Sequence, residues 1–442
     1  GKTTFLRVVT GELYADEGEF NLANNVTVGY LKQNADLDSS LNVYSEMQTA
    51  FKDVFDAQAG LKEIEKKLVD TPSDEKLIEQ HSEFLAVIDA KDGYNIDMQI
   101  KKVLNGMSFP EETWTKPVAV LSGGERTRLS LSKILLSRPD ILILDEPTNH
   151  LDFETLEWLE NHLNNYKGAM IIVSHDRYFL DAVVNRIWEF ENQTMVCYKG
   201  NYSAFLPQKE AANELQQKHH DADVEKAKKL QDYVDKNIVR ASTTKMAQSR
   251  RKQLEKMEIT EKPFTAHTQI KLKFEFDTDP YNEVLTLKNL TVCAGGKKLI
   301  ESLDYELLRG EKLIIAGPNG TGKSTLLKVL SGRLKPSGGI VRTGSGVRAS
   351  YFEQQQHPRF GTVENAIWDK YPRLTELEVR SLLARFGFRG EDVFKDATAL
   401  SGGELARLRF AEIYMERANL LFLDEPTNHL DIYTREIIGE AL

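Results

Sequence analysis

The sequence predicts an α/β protein made of two repeated modules in tandem. A helical arm interrupts the first, and a two-helix linker separates them. Three observations predict this. LSGGE followed by LILDEPTNHLD falls within residues 121–152, and LSGGE followed by LFLDEPTNHLD falls within 400–431. Ser122 to Glu146 is 24 residues, as is Ser401 to Glu425. GPNGTGKST (317–325) has the spacing of a phosphate-binding loop, and GKTT (1–4) matches the end of one.

The 442 residues suffice for two or three domains with separate cores. Hydrophobic content of 41% and charged content of 28% are those of a globular chain. No apolar run reaches the 18 or so residues of a membrane span. AMIIV (169–173) and KLIIAG (312–317) have the length of buried strands. Cys197 and Cys293 are too few for a disulfide framework or a cysteine-rich metal cluster, and they suit a reducing cytoplasm. A net charge of −10 opposes indiscriminate nucleic-acid binding by the whole surface.

The repeat places the domains. Lys2 to Gln33 and Lys323 to Gln354 both span 31 residues. Lys2 to Ser122 spans 120, however, against 78 from Lys323 to Ser401. The first copy therefore carries 42 extra residues, within about 43–93. There Met47, Phe51, Val54, Leu61, Ile64 and Leu68 recur at mainly helical spacing. TPSD (71–74) supplies a turn and an N-cap, a second helix follows, and Asp92-Gly93 closes it. Six lysines against eleven acids over 48–92 make this arm acidic, which suits a protein partner better than bare nucleic acid.

The expected domains are 1–206, 207–262 and 263–442. In the middle one, Ala227, Leu230, Val234 and Ile238 mark one helix, and Met246, Leu254 and Met257 mark another. From Lys236 to Lys256 the basic residues Lys236, Arg240, Lys245, Arg250, Arg251, Lys252 and Lys256 face one acid, Glu255. This tip of charge +6 points to contact with phosphates, without interleaved aromatics for stacking on bases. TQIKLKFEF (268–276) alternates as a half-buried strand does and is taken as the start of the second module.

The loop 317–325 follows the apolar run KLIIA and precedes the helical TLLKVL, the context its chemistry needs. Gly317, Gly320 and Gly322 let backbone N–H groups turn onto phosphate oxygens. Lys323 brings a charge to the outer phosphates, and the Ser324 hydroxyl suits Mg²⁺. Lys2, Thr3 and Thr4 align with Lys323, Ser324 and Thr325, so the chain is expected to be a fragment that opens inside a loop. ILILDE (141–146) and LLFLDE (420–425) read as buried strands ending in carboxylates, where open α/β sheets bind ligands. Asp145 and Asp424 are placed to hold Mg²⁺, and Glu146 and Glu425 to act as general base toward water. His175 follows a further strand, MIIVS (170–174), 29 residues after Glu146. Its counterpart would lie beyond residue 442, so poor turnover is expected of the fragment.

With these residues in place, the chain resembles the ATP-binding cassette family, in which the LSGGE of one cassette caps the ATP held by the other. The resemblance implies two tandem cassettes of the P-loop NTPase fold with two composite ATP sites. One combines Gly1, Lys2, Thr3, Thr4, Gln33, Asp145, Glu146 and His175 with Ser401, Gly402, Gly403 and Glu404. The other combines Gly317, Pro318, Asn319, Gly320, Thr321, Gly322, Lys323, Ser324, Thr325, Gln354, Asp424 and Glu425 with Ser122, Gly123, Gly124 and Glu125. Mg²⁺ would be held by Thr3, Gln33 and Asp145, and by Ser324, Gln354 and Asp424. Two cassettes, EPTNHLD in both, the arm and the charged linker (AQSRRKQLEKM, 247–257) resemble the ABC-F subfamily in particular. That resemblance implies a cytoplasmic ATPase whose linker reaches the ribosome, its RNA and the peptidyl-site tRNA. An antibiotic-resistance factor and the energy unit of a separate membrane transporter are the alternatives. One departure stands out. Ala294 occupies the place of the aromatic that stacks on adenine in most cassettes, which predicts loose recognition of the base.

Overall fold

The computed structural model describes the chain except residues 1, 24–25, 32–36, 72–73, 150, 192–193, 238–243, 258, 263–272, 354–360, 428–429 and 431, and the side chains at 3, 191, 237, 244 and 433. Two compact units result. Residues 2–176 and 271–442 form one, and residues 177–270 form the other.

In the first cassette, α1 (Lys2–Val9) precedes β1 (Val28–Leu31), α2 (Val43–Gln48), the arm helices α3 (Lys52–Asp70) and α4 (Glu75–Ala90), α5 (Ile96–Gly106) and α6 (Gly123–Ser137). Then come β2 (Ile141–Asp145), α7 (Phe153–Asn164) and β3 (Ala169–Val173). The strands form a parallel sheet in the order β1-β2-β3. Its register is pinned at the start of β2, where Asp140 Oδ2 accepts the Thr27 N–H at 2.9 Å and the Thr27 hydroxyl at 2.8 Å. Leu6 and Val9 of α1 pack on Ile143 of the central strand.

The expected arm hairpin is present. Val54, Ala57 and Ile64 turn one face of α3 inward, and Ile88 of α4 is fully buried. Asp74 caps α4 by accepting from the N–H groups of Lys76 and Leu77. The chain leaves α4 through a left-handed Asp92 (φ 48°), and the Gly93 N–H donates back to Ile88 O at 2.8 Å. Gly60 faces the Phe84 ring so closely that a Cβ there would lie 2.5 Å from it.

The unit of residues 177–270 contains α8 (Arg177–Val183), an antiparallel hairpin of β4 (Arg186–Glu191) and β5 (Thr194–Lys199), α9 (Tyr202–Asn237) and α10 (Thr244–Glu255). The first linker helix is longer than the sequence suggests. It starts at Tyr202 and runs through Pro207. Proline removes one helical donor there, and the Gln208 amide lies alongside, donating to Ala204 O at 2.6 Å and Lys199 O at 2.9 Å. After α10 the chain is tied back to α9. Asp223 Oδ2 accepts the Thr260 N–H (3.1 Å) and hydroxyl (2.7 Å).

The second cassette opens with β6 (Glu283–Ala294) and β7 (Lys297–Leu308), joined by Gly295 and Gly296 at φ 56° and 78°. Both left-handed residues are what a two-residue hairpin turn matched to strand twist requires. Then follow α11 (Lys323–Leu330), β8 (Gly338–Thr343), β9 (Ala349–Phe352), α12 (Val363–Trp368), α13 (Glu376–Arg385), α14 (Gly402–Glu416), β10 (Leu420–Leu423) and α15 (Ile432–Ala441). An antiparallel sheet of order β7-β6-β8 shares a core with α11, where Leu287 and Leu290 meet Leu326, Val329 and Leu330. β9 and β10 pair in parallel.

One expected strand is not found among the described residues, and another lies mostly outside them. Residues 312–316, ahead of the phosphate loop, belong to no strand, and Leu313 and Ile314 are 48% and 87% exposed. A strand needs a neighbour to receive its backbone groups, and the apolar run has none among the described residues. Of 268–276, residues 268–272 lie outside the described residues and 273–276 are not strand. Among the described residues, the antiparallel sheet of this cassette begins at Glu283. No described helix is long and apolar enough to cross a membrane.

Candidate nucleotide site

The LSGGE phrase is a helix start. Ser122 caps α6 and Ser401 caps α14, each through a capping box. In the first, Glu125 Oε2 accepts from the Ser122 N–H (2.8 Å) and hydroxyl (2.7 Å). In the second, Glu404 Oε2 accepts from Ser401 at 2.9 and 2.7 Å. The glutamates are thus turned back on their own helices, and the two glycines leave the first-turn N–H groups unscreened by side chains. Such an end favours anions. Burial raises the pKa of Glu125, but the Ser122 hydroxyl and N–H outweigh it and hold the carboxyl below its usual range. Glu404 behaves likewise, with the Ser401 bonds and Lys395 outweighing burial.

The phosphate loop of the second cassette leads into α11 through Gly322, left-handed at φ 95°. Gly317 (φ 154°) and Gly320 (φ 78°) also take positive φ. Lys323 Nζ is folded into the loop, donating to Gly317 O (2.6 Å) and Pro318 O (2.8 Å). The Thr321 hydroxyl donates to Pro318 O at 2.9 Å. The Ser324 hydroxyl donates to Asp424 Oδ1 at 2.9 Å. Hydroxyl and carboxylate from strand and loop thus meet, a donor set suited to a small hard cation. Thr325 lies in the first turn of α11. Ala294 is exposed at the hairpin tip.

In the first cassette, Lys2 and Thr4 lie in the first turn of α1 and are exposed. Asp145 is buried at the end of β2. Glu146 follows with a left-handed backbone (φ 50°), and Glu425 repeats this at φ 49°. His175 lies just past β3. Its N–H donates to Glu146 Oε2 at 3.4 Å, and its Nε2 is 3.6 Å from Oε1. Glu146 Oε1 is buried with no hydrogen-bond partner among the described residues. Burial pushes the Glu146 pKa up to about 7; the His175 N–H and the Lys2 charge act against this, and Asp145 adds to it. Gly1, Gln33 and Gln354, and the Thr3 side chain, lie outside the described residues.

Sequence reasoning missed Asp152. It caps α7, its Oδ1 accepting the Thr155 N–H at 3.1 Å. Its Oδ2 accepts the Asn319 N–H of the second cassette's loop at 3.2 Å. The signal was available in the aspartate that ends NHLD in both copies.

On the linker, Lys236, Lys245, Lys252 and Lys256 are exposed. Two of the expected RNA-facing residues are engaged within the hairpin. The Arg250 guanidinium lies 3.9 Å from the Tyr233 ring centroid, and Arg251 pairs with Glu255 at 3.0 Å. Arg240 lies outside the described residues.

Two serine-capped helix starts, a glycine loop bonded to a strand-end aspartate and a buried glutamate beside a histidine define a tandem nucleotide-binding protein of the P-loop class. A family model described as "ABC transporter" matches residues 1–149 and 300–428, and a second with the same description matches 188–276. The full chain is 42% identical to the putative ATP-binding protein YdiF of Bacillus subtilis, covering 70% of it. It is 35% identical to the probable ATP-binding protein YheS of Escherichia coli, covering 68%. It is 34% identical to the energy-dependent translational throttle protein EttA of Haemophilus influenzae, covering 80%. A solved archaeal ribosome recycling factor, aABCE1, in complex with the ribosomal stalk protein aP1, shares the fold at a TM-score of 0.51 and 21% identity, over 78% of this chain and 59% of that one. The chain belongs to the ATP-binding cassette family, and within it to the ABC-F subfamily. Its cassettes are those of an ATP-binding ATPase.

Proposed function

We propose that the chain hydrolyses ATP at two composite sites and couples that cycle to binding of the ribosome and its peptidyl-site tRNA in the cytoplasm. The observation that carries the chemistry is Glu146. It is a carboxylate buried at a strand end, with a pKa near neutrality and Oε1 without a hydrogen-bond partner among the described residues. A base of that strength accepts a proton from attacking water as the γ-phosphate leaves. The backbone N–H of His175 donates to Oε2 at 3.4 Å and helps to orient that carboxylate. Lys2 and Lys323 place charge at the outer phosphates. Mg²⁺ would be held by Thr3, Gln33 and Asp145 and by Ser324, Gln354 and Asp424, and when bound it spreads the charge of the phosphates. Ser122 with Gly123 and Gly124, and Ser401 with Gly402 and Gly403, would cap the nucleotide of the opposite cassette.

The ribosomal half of the reading is supported by likeness to a relative named a translational throttle, and by the basic residues of α10 in a chain of charge −10. The test is sedimentation of the Glu146→Gln, Glu425→Gln double variant with ribosomes, with and without ATP. Retention in the ribosome pellet that requires ATP is expected. Equal recovery with and without ATP would break the coupling, and retention by membranes instead would favour a transporter partner.

A further inference from the structure

Asp424 is only 4% exposed, and both of its oxygens are engaged. Oδ1 accepts the Ser324 hydroxyl at 2.9 Å, and Oδ2 accepts the Tyr351 hydroxyl at 3.2 Å. Tyr351 stands on β9 opposite Phe422, two residues before Asp424. Residues two apart on a strand share a face, so the ring lies on the side of the sheet toward which Asp424 points. Tyr351 is itself 4% exposed, with the Arg333 guanidinium 4.3 Å from its ring centroid. Its carbonyl is held by Arg409 at 2.9 Å. A ring so enclosed gives its hydroxyl little choice of direction. The first cassette repeats the placement, with Tyr30 on β1 opposite Ile143, two residues before Asp145. A phenylalanine would fill the same volume. What the hydroxyl adds is a donor for the second oxygen of a buried carboxylate.

We propose that Tyr351 is a positioning residue that locks Asp424 toward the Ser324 hydroxyl, and so sets how readily a divalent cation is captured with nucleotide. Tyr30 serves Asp145 in the same way. This rests on the reading of Asp424 as the cation-holding carboxylate. Loss of such an outer partner leaves the ligand free to turn and weakens metal capture about 10- to 100-fold.

The test uses the full chain carrying Lys2→Ala, so that a fluorescent ATP analogue reports the second loop. Binding is titrated against Mg²⁺ and repeated in EDTA. Tyr351→Phe is expected to raise the Mg²⁺ concentration for half-maximal binding about 10-fold, with binding in EDTA unchanged. An unchanged Mg²⁺ midpoint, or an equal loss with and without Mg²⁺, would overturn the positioning role. Asp424→Asn separates the two readings. If it leaves the Mg²⁺ midpoint in place, the assignment of Asp424 fails. If it shifts the midpoint while Tyr351→Phe does not, the tyrosine proposal alone fails.

Discussion

Glu146 joins two costs, a left-handed backbone and a buried carboxyl. Strain of this kind gathers at functional sites, and Glu425 repeats the backbone geometry. Glu146→Gln should keep ATP binding and lower turnover at its site by about 10²- to 10⁴-fold, measured by phosphate release in single turnover. The shifted pKa also fixes a sign. Between about pH 4.5 and about 7 the folded chain keeps a proton on Glu146 that the unfolded chain has released. Stability from this group is therefore present at low pH and is lost as pH rises through that window. Turnover moves the other way, since only the ionised carboxylate accepts a proton. Melting temperatures of parent and Glu146→Gln between pH 5 and 8 would show it. The variant should lose less stability than the parent as pH rises.

At the scale of elements, the capping boxes tie the repeated phrase to stability. Ser401→Ala removes the acceptor of the Glu404 N–H and one donor to its carboxylate. It should cost about 1 kcal/mol, read as a lower midpoint in urea unfolding. Much of this architecture is legible in the chain. Apolar runs ending in Asp-Glu announce β2 and β10, and the Asp74 cap announces α4, because those signals are local. Residues 312–316 carry a strand pattern but form none, since pairing depends on a neighbour rather than on the run itself. The second role of Asp152 is hidden for a related reason: its cap is local, whereas Asn319 is 167 residues away. Arg250 reads as a phosphate-binding residue in sequence, and only folding brings Tyr233 beneath it.

For the whole molecule, charge is segregated: the arm is acidic and the linker tip carries +6. Lys245 and Lys252 on α10, and Lys256 just after it, are exposed. Reversing them to glutamate should weaken ribosome association and flatten its salt dependence. The logarithmic slope should fall by about 0.7 to 0.9 for each phosphate no longer neutralised, measured by pelleting across a salt series. Arg250→Glu alone should act differently, loosening the hairpin by removing the stack on Tyr233. The division of labour within Asp152 bears on how the cassettes can part. Oδ1 serves the helix and Oδ2 serves the loop of the other cassette. Breaking the second bond leaves the first intact. The cap of α7 therefore does not depend on the bond to Asn319, and the helix would keep its first turn if that bond broke.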